Sequence, residues 1–309
     1  MTPFTAAGAI DFESLERLLD RFAAAGVAVY VASGGSGEGH SLTPPELAQL
    51  YSAAVRIGRG RTPVYANPPE QHTVAATVAH VRLASDAGVQ LVNVYGPAGW
   101  HGYQATAEEY AAFFDEVLPQ VSTPVALCPN PGLGYPVEPA TVATVCARHH
   151  EVAAVNLNGV SPHYVARLRD TIRDGVLLYV DEGALSAAAH GDAAGIISAL
   201  PNLIPGTFRQ FLEAARSGRS GEQSQLQAYI ERLRRFAGTF PGGSPRWIKL
   251  AMREMNLPGG TGGPRPPYLP ASVTEAEQFR RQALALDIPE ISRALVTAAN
   301  QSREDADQS

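Results

Sequence analysis

The sequence predicts an α/β fold, a (β/α)8 TIM-type barrel with a C-terminal helical extension. Three observations predict it: apolar, β-branched runs recur until about residue 202, each is followed by a helix-like stretch, and only helical patterns come after them. Regular alternation of strands and helices implies a parallel sheet with right-handed crossovers. The runs are continuously apolar, which is typical of strands that are covered on both faces.

Seven of these runs are predicted strands. They are "VAVYVASG" (27–34), "PVYANP" (63–68), "QLVNVYG" (90–96), "PVALCPN" (124–130), "AAVNLNG" (153–159), "VLLYVDE" (176–182) and "AGIISAL" (194–200). A stub at "TPF" (2–4) would supply the eighth, so the first strand is expected to be short or missing. An open doubly wound sheet is the alternative, but no G-x-G-x-x-G follows the first run.

Helix signals and the end of the strand pattern set the expected organisation of the chain. Thr43, followed by Pro44 and Glu46, has the N-cap, first-turn proline and capping box that begin a helix. We expect a barrel over residues 1–217, a helical extension over 218–300 and a flexible tail over 301–309.

Composition limits the class of protein and its partners. The chain has 309 residues, 45% of them hydrophobic and 17% charged, with a net charge of −6, so nucleic acid and anionic membranes are not expected partners. No apolar run is long enough for a membrane helix, and the first residues lack the pattern of a signal peptide. Cys128 and Cys146 are too few for a disulfide framework. We expect a cytoplasmic protein.

The carboxyl ends of the predicted strands carry the candidate site residues, because barrels of this class bind and react at that end. These residues are Ser33, Gly34, Gly35, Ser36 and Glu38; Asn67; Tyr95; Cys128 and Asn130; Asn156 and Asn158; Asp181 and Glu182; and Ser198. A second polar group precedes strands and is interpreted as surface of the opposite end. Its members are His149, His150, His190 and Asp192.

Residues 33–39, "SGGSGEG", form a turn rich in glycine and serine after the first long run. Backbone N–H groups around Gly35, Ser36 and Gly37 would form a nest for a carboxylate or phosphate. A tight turn that needs positive φ angles explains the glycines equally well. Glu38 is interpreted as capping a neighbouring backbone group, with a general base as the alternative.

Three strand-end side chains have a chemical and a structural interpretation. Successive strand residues point to opposite sides, so at most one of Asp181 and Glu182 faces the barrel axis. Asp181 is equally well a general acid or base with a raised pKa and the N-cap of the helix that follows. Cys128 is a candidate nucleophile, although a buried free cysteine is more often a small apolar side chain.

The loop over residues 95–103, "YGPAGWHGY", holds Tyr95, Trp100, His101 and Tyr103. An aromatic loop at a barrel opening is a lid, a wall of the substrate pocket or a subunit contact. His101 is the candidate general base of this loop, although a surface histidine is the commoner case. No metal is expected, because the spacing of His, Cys and carboxylate residues does not match a metal site.

Four segments occur in a consistent order between residue 2 and about residue 285. They are "TPFTAAGAID", "GGSGEGHSLTPPE", "AGIISALPNLIP" and "WIKLAMREMNLPGGTGGPRPPYLP". They resemble motifs of the dihydrodipicolinate synthase and N-acetylneuraminate lyase family, a group of class I aldolase-type barrels. Several spaced motifs in one register are far more specific than any one of them, so the resemblance also implies the barrel fold.

The resemblance implies a chemistry whose residues this sequence lacks. Members of that family form a Schiff base between a strand lysine and a 2-keto acid, usually pyruvate, and a strand tyrosine relays protons. Asn156 stands at the lysine position, Cys128 at the tyrosine, and Leu133 near an arginine that often binds the substrate carboxylate. Gly35 and Ser36 stand where the family has a carboxylate-binding pair.

Lys249 is the only lysine in the chain. It matches a lysine of the family's C-terminal helix, outside the barrel. An amide nitrogen is not nucleophilic, so imine chemistry at Asn156 is excluded. The family also has further residues before its T-P motif, so either the first strand is a stub or the true start lies upstream.

Two functions are compatible with the sequence. The first is a lyase, dehydratase, aldol-type or cyclising enzyme that acts without a Schiff base on a small carbonyl or carboxylate metabolite, with Asn156 polarising the carbonyl. Asp181 or His101 would then move a proton. The second is a non-catalytic ligand binder or partner subunit on the same scaffold. No cofactor is expected, and the resemblance implies a homo-oligomer, a dimer or tetramer.

The predicted pocket combines two groups of residues. The catalytic candidates are Asn156, Asp181, Tyr95, His101 and Cys128. The substrate-binding candidates are Gly35, Ser36, Gly37, Glu38, Asn67, Asn130, Asn158 and Ser198.

Overall fold

A parallel sheet of seven strands forms the centre of the protein. The computed structural model describes residues 1–99 and 101–307, without the side chains of Leu133 and residues 302–307. The strands are β1 (Val29–Val31), β2 (Val64–Ala66), β3 (Val92–Tyr95), β4 (Val125–Cys128), β5 (Val152–Leu157), β6 (Leu177–Val180) and β7 (Gly195–Ile196). Each pairs in parallel with the next one in chain order. The predicted α/β class with a parallel, barrel-type sheet is confirmed.

Helices alternate with the strands and then continue alone. Those of the alternating part are α1 (Phe12–Ala24), α2 (Pro44–Gly58), α3 (Val74–Asp86), α4 (Ala107–Val117), α5 (Pro139–Arg148), α6 (Pro162–Arg169), α7 (Leu185–His190) and α8 (Pro205–Arg216). The C-terminal helices are α9 (Ser220–Ala237), α10 (Ser244–Glu254), α11 (Val273–Ala283) and α12 (Pro289–Asp307). The predicted C-terminal helical part is therefore present.

Local signals begin the helices where the sequence predicts. At α2 the Thr43 side chain accepts a hydrogen bond from the Glu46 N–H, and Glu46 Oε2 accepts one from the Thr43 N–H. This reciprocal capping box satisfies two backbone donors that a helix start leaves unpaired. At α1 the Asp11 side chain caps the helix without a capping box, since its Oδ1 accepts a hydrogen bond from the Ser14 N–H at 3.0 Å.

The division at residues 217 and 218 remains a prediction, although it falls between α8 and α9. The expected tail, 301–309, overlaps the end of α12, which runs to Asp307. Residues 308 and 309 lie outside the described part of the chain. Within that part, no helix is both long and apolar enough to cross a membrane.

The sheet is open between β1 and β7, because these outer strands pair with no further strand in the described residues. Residues 2–4, the expected stub, form no strand, and Phe4 makes only an isolated antiparallel bridge to Ile10. Unpaired strand edges invite association with other chains, so a stable fold has to cover them.

The N-terminal segment, residues 1–4, connects the two sides of this opening. Thr2 Oγ1 donates a hydrogen bond to the Gly37 carbonyl in the loop after β1, at 2.5 Å. The Met1 nitrogen donates to Asn202 Oδ1 in the turn after β7, at 3.0 Å. The segment thus bridges the loops that follow the first and last strands without becoming a strand itself.

A buried ion pair holds this segment against the C-terminal helices. Lys249 Nζ on α10 lies 2.6 Å from Glu38 Oε1, and both side chains are almost completely buried. The same ammonium group lies 4.1 Å from the centre of the Phe4 ring and donates to the Gly263 carbonyl. Burial lowers the pKa of Lys249, and the charge of Glu38 opposes that shift. The pair therefore joins the loop after β1, the N-terminal segment and α10.

Arg265 completes this anchor from the segment after α10. Its guanidinium carbon lies 4.3 Å from the centre of the Phe4 ring, on which the Lys249 ammonium also packs. Its backbone N–H donates to the second oxygen of Glu38 at 2.8 Å, and its guanidinium group forms a forked ion pair with Glu46. The segment around Arg265, in the C-terminal motif, thus packs against Phe4 in the N-terminal motif.

Replacing Lys249 with Met should destabilise the protein by about 3–5 kcal/mol, because Glu38 is left buried without its counter-charge. Chemical unfolding in urea measures this loss, and adding Glu38→Gln should recover part of it. Arg17→Ala breaks an exposed pair with Glu13 and is the control, with an expected change below about 1 kcal/mol. A Lys249→Met effect no larger than the control's would contradict the proposed anchor.

Candidate functional site

Inward-facing side chains of the strands fill the centre of the sheet in two layers. The aromatic layer comprises Tyr30, Tyr65 and Tyr179 around Leu91, Ala126 and Ala154. The polar layer, nearer the carboxyl ends, comprises Asn67, Asn93, Cys128 and Asn156, all buried. Inward positions recur with a period of two, which places Asn156 one step above Ala154 on β5.

Hydrogen bonds connect the polar layer across four strands. Asn156 Nδ2 donates to the Tyr30 hydroxyl at 3.0 Å and to Asn93 Oδ1 at 2.7 Å. Asn93 Nδ2 donates in turn to Asn67 Oδ1 at 2.9 Å. Asn67 also hydrogen-bonds the Tyr95 hydroxyl, whose pKa is raised mainly by burial. Asn156 on β5 is thus linked to β1 and β3 across the interior.

Two amide oxygens at the end of β5 have no hydrogen-bond partner among the described residues. Asn156 Oδ1 and Asn158 Oδ1 are both buried and both unpaired. Leaving a buried acceptor unsatisfied costs about 1–3 kcal/mol. Native structures generally pair such groups with protein, water or ligand. The end of β5 therefore has the capacity to accept two hydrogen bonds.

Cys128 and Asn130 follow one another at the end of β4. Burial raises the pKa of the Cys128 thiol to about 12, with a hydrogen bond from Asn93 opposing the shift, so the thiol is protonated at neutral pH. Asn130 Oδ1 accepts from the Gly132 N–H at 2.8 Å and shapes the following turn. The Leu133 side chain, which the resemblance places near a carboxylate-binding arginine, lies outside the described side chains.

Asp181 uses both of its oxygens to hold turns. Its Oδ2 accepts a hydrogen bond from the Gly159 N–H at 2.7 Å, and its Oδ1 accepts one from the Gly183 N–H at 2.9 Å. These contacts join the loop after β5 to the loop after β6 and correspond to the N-cap interpretation. A catalytic role for Asp181 stays a prediction.

Glu182 is the carboxyl group whose environment suits proton transfer. Its Oε1 contacts the Ser198 hydroxyl, which also accepts a hydrogen bond from the Leu200 N–H. Burial raises the pKa of Glu182 to about 7, and the neighbouring charge of Asp181 adds to the shift, while Arg234 opposes it. Glu182 therefore changes its protonation state near neutral pH.

The glycine-rich turn after β1 is closely packed against its own backbone. A Cβ atom at Gly37 would lie 2.4 Å from the Ser33 nitrogen, and one at Gly39 would lie 1.9 Å from the Ala32 oxygen. The Gly37 N–H donates to Ser33 Oγ at 2.8 Å. Glu38, predicted as a cap or a base, is committed to Lys249 and Arg265 within the fold.

Gly35, in the same turn, lies near the C-terminal helices, because a Cβ atom there would be 3.8 Å from Ser244 Oγ at the start of α10. Whether Gly35, Ser36 and Gly37 bind an anion stays a prediction.

The aromatic loop after β3 is held at one end and exposed at the other. The Tyr135 hydroxyl donates to the Pro97 carbonyl at 2.5 Å. His101 is exposed and adopts a φ of 51°, and Tyr103 is about half exposed. Trp100 lies outside the described residues. The structure therefore does not bring His101 into the buried polar layer.

Sequence reasoning missed three residues of this region. Asn93 and Tyr30 lie inside apolar runs, whereas the predicted site residues stand at the ends of such runs. The signal that could have found Asn93 is an amide in the middle of "QLVNVYG". Glu70 follows β2, and its Oε2 would lie 2.7 Å from a Cβ atom at Gly34. Burial is the main cause that raises the pKa of Tyr95, and the charges of Cys128 and Glu70 add to it.

Within the described residues, no group of three or more His, Cys, Asp or Glu side chains is arranged to hold a metal ion. The chemical groups that remain at the carboxyl end are amides, hydroxyls, a protonated thiol and carboxyl groups. Such a set is able to bind a polar molecule and to move a proton.

The fold and this arrangement define a parallel α/β barrel-type protein with its candidate site at the carboxyl ends of the strands. The chain belongs to the dihydrodipicolinate synthetase family, whose sequence model matches residues 1–286. The resemblance noted from the four sequence segments is thereby confirmed.

Curated relatives align over nearly the whole chain. The 4-hydroxy-tetrahydrodipicolinate synthase of Xanthomonas axonopodis pv. citri is 30% identical over 288 residues, which is 93% of this chain and 93% of the relative. The enzyme of the same name from Xylella fastidiosa is 31% identical, covering 96% of this chain and 97% of that protein.

Solved structures show the same architecture. A dihydrodipicolinate synthase from Bacillus anthracis superimposes with a TM-score of 0.83 at 24% identity, covering 94% of this chain and 96% of that one. A monomeric dihydrodipicolinate synthase variant gives a TM-score of 0.81 at 23% identity, covering 91% and 92%. At these identities the likeness establishes the fold.

Glu182→Gln should stabilise the protein at pH 8 and leave it nearly unchanged at pH 4.5. A pKa raised from 4.5 to about 7 means that the folded state holds this proton more tightly than the unfolded chain. The stabilisation is complete below pH 4.5 and is lost as the pH rises through about 7. Because glutamine never ionises, the expected gain at pH 8 is about 2–3 kcal/mol.

Urea unfolding at both pH values measures this difference. Glu13→Gln, a matched change at an exposed glutamate, is the control and should behave alike at the two pH values. An equal effect of Glu182→Gln at pH 4.5 and pH 8 would show that the carboxyl group titrates normally.

Proposed function

We propose that this protein is an enzyme of the dihydrodipicolinate synthetase family that works without a Schiff base. It would act as a lyase, dehydratase, aldol-type or cyclising enzyme on a small carbonyl or carboxylate metabolite. The observation that carries the proposal is the buried network around Asn156, which ends in an unpaired acceptor at the carboxyl end of β5. Native structures generally pair such a buried acceptor with protein, water or a ligand.

The single lysine supports the absence of imine chemistry. Imine formation requires an accessible, unprotonated amine. Lys249 lies on α10, is buried, and is ion-paired with Glu38. Asn156, at the position where the resemblance implies the family's lysine, carries an amide that cannot replace it.

The proposed roles follow from the contacts of the asparagines and from the position of Glu182 just after β6, the strand that pairs with β5. Asn156 and Asn158 orient the bound molecule through their free oxygens. Glu182 moves the proton, because a general acid or base works best when its pKa lies near the working pH. Asp181 and His101 are the alternatives for that step. Asn67 and Tyr95 support Asn156 through Asn93.

Incubation with pyruvate and sodium borohydride should leave Lys249 unmodified, because the only lysine of the chain is buried in its ion pair with Glu38. Intact-mass spectrometry detects a reduced adduct, and an aldolase that forms an imine is the positive control. An adduct mapped by peptide analysis to Lys249 would contradict the proposal. This experiment tests the lysine-independent mechanism alone.

A screen of small carbonyl and carboxylate compounds with mass detection of products tests catalysis itself. For a substrate that is turned over, Glu182→Gln should lower kcat by about 10²–10⁴-fold and remove the pH dependence near neutrality. Glu13→Gln is the matched control and should leave kcat unchanged. Full turnover by both Glu182→Gln and Asn156→Ala would refute the assigned site.

A non-catalytic ligand binder or partner subunit is the second candidate. It is favoured by the commitment of Asp181 to two backbone N–H groups and by the protonated state of Cys128. Under this alternative, ligands raise the thermal unfolding midpoint but no product forms. We also propose that the chain forms a homo-oligomer, a dimer or tetramer, which light scattering checks through the molar mass in solution.

A further inference from the structure

We infer that the molecule bound at this site carries hydroxyl or ammonium groups that donate hydrogen bonds to Asn156 Oδ1 and Asn158 Oδ1. The inference rests on the proposed function, because it concerns the same site, and it narrows the substrate class. The carbonyl compound would be one that bears at least two hydrogen-bond donors, rather than a simple keto acid such as pyruvate.

The direction of the hydrogen bonds around Asn156 is the first argument. An asparagine side chain has two N–H donors and one acceptor oxygen. Both donors of Asn156 are committed, one to the Tyr30 hydroxyl and one to Asn93 Oδ1. Only the oxygen is left, so this amide is able to receive a proton donor and cannot polarise a carbonyl.

A second acceptor lies next to the first. Asn158 follows Asn156 by two residues and comes directly after Leu157, the last residue of β5. Alternate residues of a strand are about 6.6 Å apart, which a three-carbon molecule with a donor at each end is able to bridge. Because both oxygens are buried and unpaired, one ligand with two donors satisfies both at once.

The negative charges near the carboxyl ends of the strands disfavour a ligand that carries a carboxylate. Glu70 is close enough to Tyr95 to raise its pKa, and Asp181 and Glu182 follow β6. Three cations at the turn after β1 and in the C-terminal part of the chain have carboxylate partners. These pairs are Lys249 with Glu38, Arg246 with Glu275, and Arg265 with Glu46. Arg234 near Glu182 offsets part of this negative charge. The three carboxyl groups still favour a ligand with hydroxyl or ammonium groups over an anion.

Ordered water is the alternative occupant, since water also donates to buried acceptors. The two cases differ in selectivity. Water at these oxygens gives no preference between small ketones, whereas a donor-binding site distinguishes ketones that differ only in their hydroxyl groups.

Binding of four probes to the full chain tests the inference by NMR titration. Dihydroxyacetone and acetone share the carbonyl and differ in two hydroxyls; serinol carries an ammonium and two hydroxyls; pyruvate carries no donor. Dihydroxyacetone should bind at least about tenfold more tightly than acetone, because it makes two more hydrogen bonds. Serinol should likewise bind more tightly than pyruvate.

Variants at Asn158 separate binding from folding. Asn158→Leu should reduce the preference for dihydroxyacetone over acetone by about fivefold, the share of one hydrogen bond. It should not lower the unfolding midpoint, because the oxygen that it removes has no partner in the described residues. Asn158→Asp keeps an acceptor and should retain serinol binding, which covers the case in which the leucine variant does not fold.

Three results would overturn the inference: equal binding of dihydroxyacetone and acetone, tighter binding of pyruvate than of serinol, or no binding of any probe. Its failure is distinct from that of the proposed function. Selective binding without product in the turnover screen would leave the inference standing and remove catalysis. Turnover of a keto acid without hydrogen-bond donors, at a rate that Asn158→Leu does not change, would confirm catalysis and refute the inference.

Discussion

The buried ion pair between Lys249 and Glu38 is the interaction on which the rest of the structure depends. It joins α10, the loop after β1 and, through the Phe4 ring, the N-terminal segment at the opening between β1 and β7. Two opposite charges out of water are tolerated only when each is paired and hydrogen-bonded, as these are. The same pair engages the only lysine of the chain and a carboxylate in the loop after β1.

The candidate site lies at the carboxyl ends of the strands, where buried polar side chains face the interior of the sheet. Asn156, Asn93 and Asn67 occupy the centre of the sheet as one directed chain of hydrogen bonds. A buried amide network is stable only if its members satisfy one another, and this one does so except at its end. That end lies at β5, next to β6 and the carboxyl groups that follow it. The geometry therefore separates a hydrogen-bonded part of the network from an end whose amide oxygen has no partner in the described residues.

Much of the fold was predictable from the sequence, and less of the site. Continuous apolar runs predicted the seven strands, and Thr43 with Glu46 predicted the start of α2, because these signals act over a few residues. The assignment of Asp181 or Glu182 was not predictable. Adjacent residues point to opposite sides, and only contacts from other strands decide which carboxyl is desolvated. Asn93 was missed because it lies within an apolar run.

The sequence by itself determined the class of fold, the family and the absence of an amine at the end of β5, since these depend on composition and on motif order along the chain. The tertiary structure alone decided what the amide of Asn156 is able to do. Its partners, Tyr30 and Asn93, are 126 and 63 residues away in the chain. Whether an amide offers its N–H groups or its oxygen depends on which of them such distant partners already use, and no local pattern contains that information.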